Sequence, residues 1–232
     1  MSPEFRDPLD GKPSTAEAIG ADGLPLFRIW PLVLTPLRAK MADACAWVMM
    51  AALAVGCVGL FFTHRGHGFE SGAVLFAALL GGWLAAWPLV TCGLRLAFRR
   101  RTEIEMTTDG IAVRTWRGWQ RYSRLLEHRF AHVLHDLAAQ EYRENDYKGR
   151  KAAASGRVIH LTPYYGESFH VVLLYAGHRV DLLTVFGQKD MAAIIARLQY
   201  CDRRLNEALA MGGGIPRRPE DEWHEAPGGI AP

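Results

Sequence analysis

What two stretches of this sequence lack is charge. Ala44–Thr63 and Ser71–Leu94 run for 20 and 24 residues without an Asp, Glu, Lys or Arg. A helix crossing the ~30 Å hydrocarbon core needs about 20 apolar residues at ~1.5 Å each, so both runs suffice and an entirely soluble globule is excluded. Cysteine is scarce as well. Of the four, Cys45, Cys57 and Cys92 fall inside the apolar runs and only Cys201 lies in the polar part, which leaves neither a disulfide framework nor a zinc pattern and agrees with an intracellular setting. A formal net charge of +3 over 232 residues implies no strong electrostatic preference for a partner. Also missing are a Gly-rich phosphate loop with its Lys, a nucleophile elbow and a paired-carboxylate site. The sequence therefore argues against an enzyme and implies no cofactor.

Bases flank the runs unequally. Arg28, Arg38 and Lys40 precede the first, and Arg95, Arg99, Arg100 and Arg101 close the second, whereas the connecting His64–Glu70 segment carries one strong base, Arg65. By the positive-inside rule both termini face the cytoplasm. The connection is too short for an outer domain, so the spans, about 44–63 and 71–95, form a hairpin within a segment 41–98. Residues 1–23 mix acids and bases with Pro, Ser and Gly, lack the order of a signal peptide and read as a disordered tail. Leu24–Leu37 is apolar but broken by Pro25, Pro31 and Pro36. With Phe27, Arg28, Trp30 and Arg38 it is expected to lie in the headgroup region, or else to pack as a linker on the cytoplasmic domain; either way residues 1–40 count as a tail.

Small residues recur every four positions in the second span, Ala77, Gly81 and Ala85 on one face and Ala78, Gly82 and Ala86 beside it. Such spacing lets helix backbones approach closely, and Ala52 and Gly56 of the first span are the expected partners, with homo-oligomerisation through the same stripe as the alternative. No ionisable residue sits mid-span, which argues against a transporter or pump. Pro88 is expected to kink the second span.

From Thr102 the pattern changes to period-two alternation. Ile104 and Met106 alternate with Glu103 and Glu105, Asp109-Gly110 makes a turn, and Ile111 and Val113 continue on a second strand. Arg117-Gly118 turns into a third strand ending near Ser123, and Arg129–His135 is a fourth. His135–Gly156 is long and charged with no apolar face, and reads as a mobile loop with room for a helical turn. Strands resume at Arg157–Thr162, Ser168–Tyr175 and His178–Phe186. An amphipathic helix follows from near Gln188, with Met191, Ile194, Ile195, Leu198, Cys201, Leu205 and Leu209 on one face, until Gly212-Gly213-Gly214 stops it. Residues 210–232 read as a disordered tail.

Seven antiparallel strands and one closing helix fit a mainly-β, strongly bent sheet or barrel plugged by the helix. The opening Thr102-Glu103-Ile104-Glu105-Met106-Thr107-Thr108-Asp109-Gly110-Ile111 and the strand-to-helix step at Leu182–Leu198 resemble the bacterial pleckstrin-homology-like (PH-like) domains, many of which carry a transmembrane hairpin just before the domain. The resemblance spans roughly residues 41–209. It implies a cytoplasmic PH-like domain at 102–209 acting as a binding or assembly module, and it carries over no functional residues.

Three histidines, His128, His132 and His135, would share a helix face and could hold zinc; on a strand His135 faces the other way, and a metal-dependent enzyme is kept only as an alternative. Arg114, Arg117, Arg121 and Arg124 among Trp116, Trp119 and Tyr122 extend the basic cluster toward a nucleic-acid surface, but bases beneath a span are explained by topology and by anionic lipid, at about 1 kcal/mol each. Arg95, Arg99, Arg100 and Arg101 are thus candidate headgroup contacts, and a lipid-sensing domain is another alternative. Tyr142 and Tyr147, with Arg143 and Arg150, are the candidate protein-binding residues, aromatic anchors among charges of both signs. The sequence points to an inner-membrane protein that tethers or organises a protein partner at the cytoplasmic face.

Overall fold

A computed structural model describes residues 11–20, 23–64, 69–115 and 117–211. The expectations for residues 1–10, for Arg65, for Trp116 and for the tail beyond Met211 fall outside the described residues. Two compact units form, one from Pro36–Arg99 and the other from the chain up to Thr35 joined with the chain from Arg100 onward.

The first unit is a pair of 29-residue helices, α1 (Pro36–His64) and α2 (Phe69–Ala97). Each is long and apolar enough to cross a membrane. Pro36 opens α1, where a missing N–H costs nothing and a fixed φ is already helical. Pro88 lies inside α2 without ending it, and the Thr91 hydroxyl donates to the Trp87 carbonyl at 2.9 Å one turn back.

The small residues that face inward belong to α1, which corrects the expectation for the stripe on α2. Ala39, Ala42, Ala46 and Met50 are buried at three- and four-residue steps. Opposite them α2 presents bulk: Trp83 Nε1 donates to the Met50 carbonyl at 2.9 Å, and Trp87 meets Trp47 edge to face at 4.5 Å. A Cβ built on Gly56, Gly81 or Gly82 would meet nothing within 4 Å, and Ala77 and Ala85 are exposed. A small side chain on one helix is enough when the other supplies the tryptophans, so the α2 stripe is left free.

The second unit begins earlier than the sequence suggested. β1 (Ser14–Ile19), β2 (Pro25–Trp30) and β3 (Leu32–Val33) precede the helices in the chain. β4 (Arg100–Arg101), β5 (Ile104–Met106), β6 (Gly110–Thr115), β7 (Gly118–Ser123), β8 (His128–Leu134), α3 (Asp136–Ala154), β9 (Ser168–Tyr175), β10 (His178–Phe186) and α4 (Gln188–Met211) follow them. One antiparallel sheet runs β1-β2-β5-β6-β7, a second β10-β9-β8, and β3 pairs with β4. Neither the tail reading of residues 14–19 nor the headgroup reading of Leu24–Leu37 holds. Phe27 and Ile29 are fully buried and stand opposite Met106 and Ile104. The three prolines hid a strand because they occupy places that tolerate them: Pro25 starts β2, Pro31 separates β2 from β3, and Pro36 starts α1.

The core joins both sheets to α4. Phe27, Ile29, Ile104, Met106, Ile111 and Val113 come from the first, Phe130, Val171, Leu173 and Val185 from the second, and Met191, Ile195, Leu198 and Leu205 from α4. The turns obey local rules. Gly110 N–H donates to Thr107 Oγ1 at 3.0 Å in the β5–β6 connection, and Ala176 and Gly177 both take positive φ, 48° and 80°, as the two-residue link between β9 and β10 requires.

Two further expectations are overturned. His135–Gly156 is not a loop but contains the 19-residue α3, which has no apolar face to bury yet is rich in strong helix formers and held by i,i+4 pairs, Glu144–Lys148 and Asp146–Arg150. Conversely Arg157–Thr162 forms no strand. It alternates like one, but it pairs with neither the β8 nor the β10 edge of the three-stranded sheet, and Val158 is left 87% exposed.

Candidate functional site

The segment between β8 and β9, residues 135–167, carries the candidate recognition residues and is attached at three points. At its start His135 caps α3, with Nδ1 accepting from Leu137 N–H at 3.1 Å, while its own N–H donates to the Ser168 carbonyl at 2.9 Å. Ala138 is fully buried. One turn on, Glu141 accepts main-chain hydrogen bonds from Tyr164 (2.8 Å) and Tyr165 (2.6 Å). Tyr142 reaches the same turn, where its hydroxyl would lie 2.9 Å from a Cβ on Gly166.

Beyond that, α3 shows its side chains to solvent. Gln140, Arg143, Glu144, Tyr147 and Lys148 line a shallow open depression, and Tyr147 is 63% exposed. Arg150 pairs with Asp146 at 2.7 Å on the outer surface. The four candidates thus divide: Arg143 and Tyr147 share the depression, Arg150 sits beyond it, and Tyr142 is half engaged in holding the turn. Glu141 looked like one more solvated charge in the sequence, because the turn it binds lies 23 residues away.

The histidines do not converge. His128 and His135 lie some 20 Å apart at the ~3.3 Å rise of a strand. His128 belongs to another network, His132 packs edge to face on Phe169 at 5.8 Å, and His135 stacks on His170 at 4.5 Å with ring planes 24° apart. Among the described residues no three His, Cys, Asp or Glu side chains could together hold a metal ion.

That other network is the most buried polar cluster in the unit. Arg124, 1% exposed, donates from Nε to Asp202 Oδ1 (2.6 Å), from Nη2 to Asn206 Oδ1 (2.6 Å) and to the Asp202 carbonyl (2.8 Å), and from Nη1 to the Thr108 carbonyl (3.3 Å). His128 Nε2 lies 3.0 Å from Asp202 Oδ1 and its Nδ1 3.0 Å from the Leu126 carbonyl. Burial on its own would push the Asp202 carboxyl up, but the His128 hydrogen bond and the Arg124 charge together outweigh it and hold the group below its usual range. These residues bolt α4 to the β5–β6 and β7–β8 connections. Arg124 is therefore no part of a basic surface, and Arg114 is paired with Glu103 at 3.1 Å. Cys201, beside Asp202, is buried in the core and its thiol is pushed up to about 12 by burial, so it is no nucleophile.

The arginines after the second apolar run also divide. Arg95 makes a bidentate pair with Asp43 across the helices, 2.8 and 2.9 Å. Arg99 N–H donates to the Leu96 carbonyl, while Arg100 and Arg101 form β4 with exposed side chains, Arg101 lying 4.9 Å over the Trp30 ring. Compared with known family models, curated proteins and solved structures, the chain matches none.

Proposed function

We propose that this protein is a bacterial inner-membrane anchor whose cytoplasmic PH-like domain holds a protein partner at the membrane through the exposed face of α3. Several features support the membrane part. Trp47, Val55, Phe62, Phe76 and Leu89 are all exposed on the helical pair, a surface suited to hydrocarbon and not to water. β2 and β5 pair with each other although one precedes and the other follows that pair, which favours a hairpin with both ends on one side of the membrane. Arg38 and Lys40 in the first turns of α1 and Arg99 just after α2 favour the cytoplasm as that side. Two antiparallel meanders followed by a closing helix favour the PH-like reading.

One observation carries the partner reading. A 19-residue helix whose only fully buried side chain is Ala138 contributes almost nothing to the core, yet it is capped, braced and presents an exposed tyrosine among charges of both signs. That composition suits protein recognition. The test recovers the full chain and its associated proteins from native membranes, comparing the wild type with a Tyr147→Ala, Arg143→Ala variant. At least one partner should fall about thirtyfold in yield, the loss of ~2 kcal/mol expected for a recognition hot spot. An unchanged set of partners overturns the role of α3. If binding to anionic vesicles instead depends on Arg100 and Arg101, which are exposed, the lipid-sensing reading replaces it.

A further inference from the structure

The start of α3 carries a feature that recognition does not need. Its N-cap is a histidine, where Ser, Thr or Asn would accept the same hydrogen bond without titrating. The cap works only while Nδ1 of His135 has a free lone pair for Leu137 N–H, 3.1 Å away. The same ring lies stacked at 4.5 Å on His170, whose Nδ1 is 3.0 Å from Thr184 Oγ1 and 3.9 Å from an Asp181 carboxylate oxygen. Asp181 is in turn bound by Arg179 at 2.8 Å. The charged groups around the ring pair are thus Asp136 on α3 and Asp181 and Arg179 on β10.

We propose that this stacked pair is a proton-sensitive clasp, which holds the first turn of α3 while His135 is neutral and releases it when His135 Nδ1 is protonated. A proton on His135 Nδ1 sets N–H against N–H at the cap. It also adds positive charge where the helix dipole is already positive, and a second charge on His170 would face the first across the stack.

Both groups are held below their ordinary value. For His135 the causes are burial first and then the His170 charge, against raising by Asp136 and Asp181. For His170 they are burial first, opposed by Asp181 and then aided by Arg179. The released state therefore binds protons more tightly than the clasped one, so the clasp is at full strength above pH about 6.5, the ordinary histidine value, and weakens as pH falls below it. Its consequence for partner capture rests on the recognition role proposed for α3, but the clasp itself does not.

Hydrogen exchange of the full chain in lipid nanodiscs reads the clasp with no partner present. After correction for the intrinsic pH dependence of exchange, the amides of residues 137–142 should lose protection about fivefold between pH 7.5 and 5.5, the size of a lost N-cap, while β9 and α4 hold theirs. His135→Asn, which caps without titrating, should keep α3 protected at both values. Equal protection in the wild type at both pH values, or an equal loss in His135→Asn, overturns the proposal. Should that variant fail to fold, His170→Phe keeps a ring in the stack without the charge that helps hold His135 down, and must shift the loss to higher pH. Histidine titration of the wild type by NMR gives the remaining check, since either ring titrating above pH 6.5 also overturns it. Partner yield is read separately, so loss of the clasp and loss of the recognition reading are distinguishable.

Discussion

Arg124 shows how one side chain can decide the attachment of a whole helix. Buried, it satisfies Asp202, Asn206 and Thr108 at once, and no lysine offers the planar fork that does so. Removing one member of a buried charged network leaves the others unpaired, at a cost of about 3–5 kcal/mol. Arg124→Met should therefore lower the midpoint of denaturant unfolding steeply, and a midpoint within error of the wild type would contradict the bolt. Asp202 adds a pH signature. Its carboxyl is held below the usual value of 3.8 in the folded protein, so the unfolded chain takes up the proton first. The stabilisation is present above about pH 4 and is lost as pH falls through the folded value. Asp202→Asn should be less stable at neutral pH but flatter than the wild type in acid. The sequence did not reveal this cluster, because its members are spread over nearly a hundred positions and nothing local pairs Arg124 with Asp202.

Helices α1 and α2 illustrate a limit of spacing as a signal. The four-residue stripe of Ala77, Gly81 and Ala85 satisfies the rule for close packing, but a rule about what permits contact does not say which face is used. Trp83 and Trp87 settle the matter by reaching across to the Met50 carbonyl and the Trp47 ring of α1. Replacing Gly81 and Gly82 together by leucine should leave crosslinking between the helices and thermal stability in detergent unchanged. Ala46→Leu, in contrast, adds bulk at a fully buried site and should cost about 1–3 kcal/mol. The reverse ranking would mean that the stripe packs the hairpin after all. In α3 the failure ran the other way: polarity without an apolar face read as a loop, although a capped helix laced with i,i+4 pairs needs little burial to persist.

At the scale of the whole chain, the helical pair is an insertion within the β unit rather than a preface to it. Val33 pairs with Arg100 and Leu32 with Arg101, so the two cut ends lie on neighbouring strands. Replacing Pro36–Arg99 by a short Asn-Gly turn should yield a soluble protein with a cooperative thermal transition. A truncation starting at Thr102 should aggregate, because it strips Phe27 and Ile29 from Met106 and Ile104 and leaves β5 as a bare edge. If the truncation were as soluble and cooperative as the excised form, the first three strands would be dispensable and the insertion a formality.

The sequence by itself determined what local pattern can encode: two uncharged runs that became α1 and α2, the alternation and Asp109-Gly110 turn of β5 and β6, and the periodic apolar face of α4, whose Met191, Ile194, Ile195, Leu198, Cys201 and Leu205 are all buried. Each of these is a repeat within about twenty residues, matched to the geometry of one element. Only the tertiary structure decided that β1, β2 and β3 belong with strands beyond residue 100, that Arg157–Thr162 stays unpaired, and that His128, His132 and His135 serve three different neighbours. Those outcomes depend on which strands pair and on contacts across long separations in the chain, and such free energies attach to pairs of segments, so no single segment carries their signature.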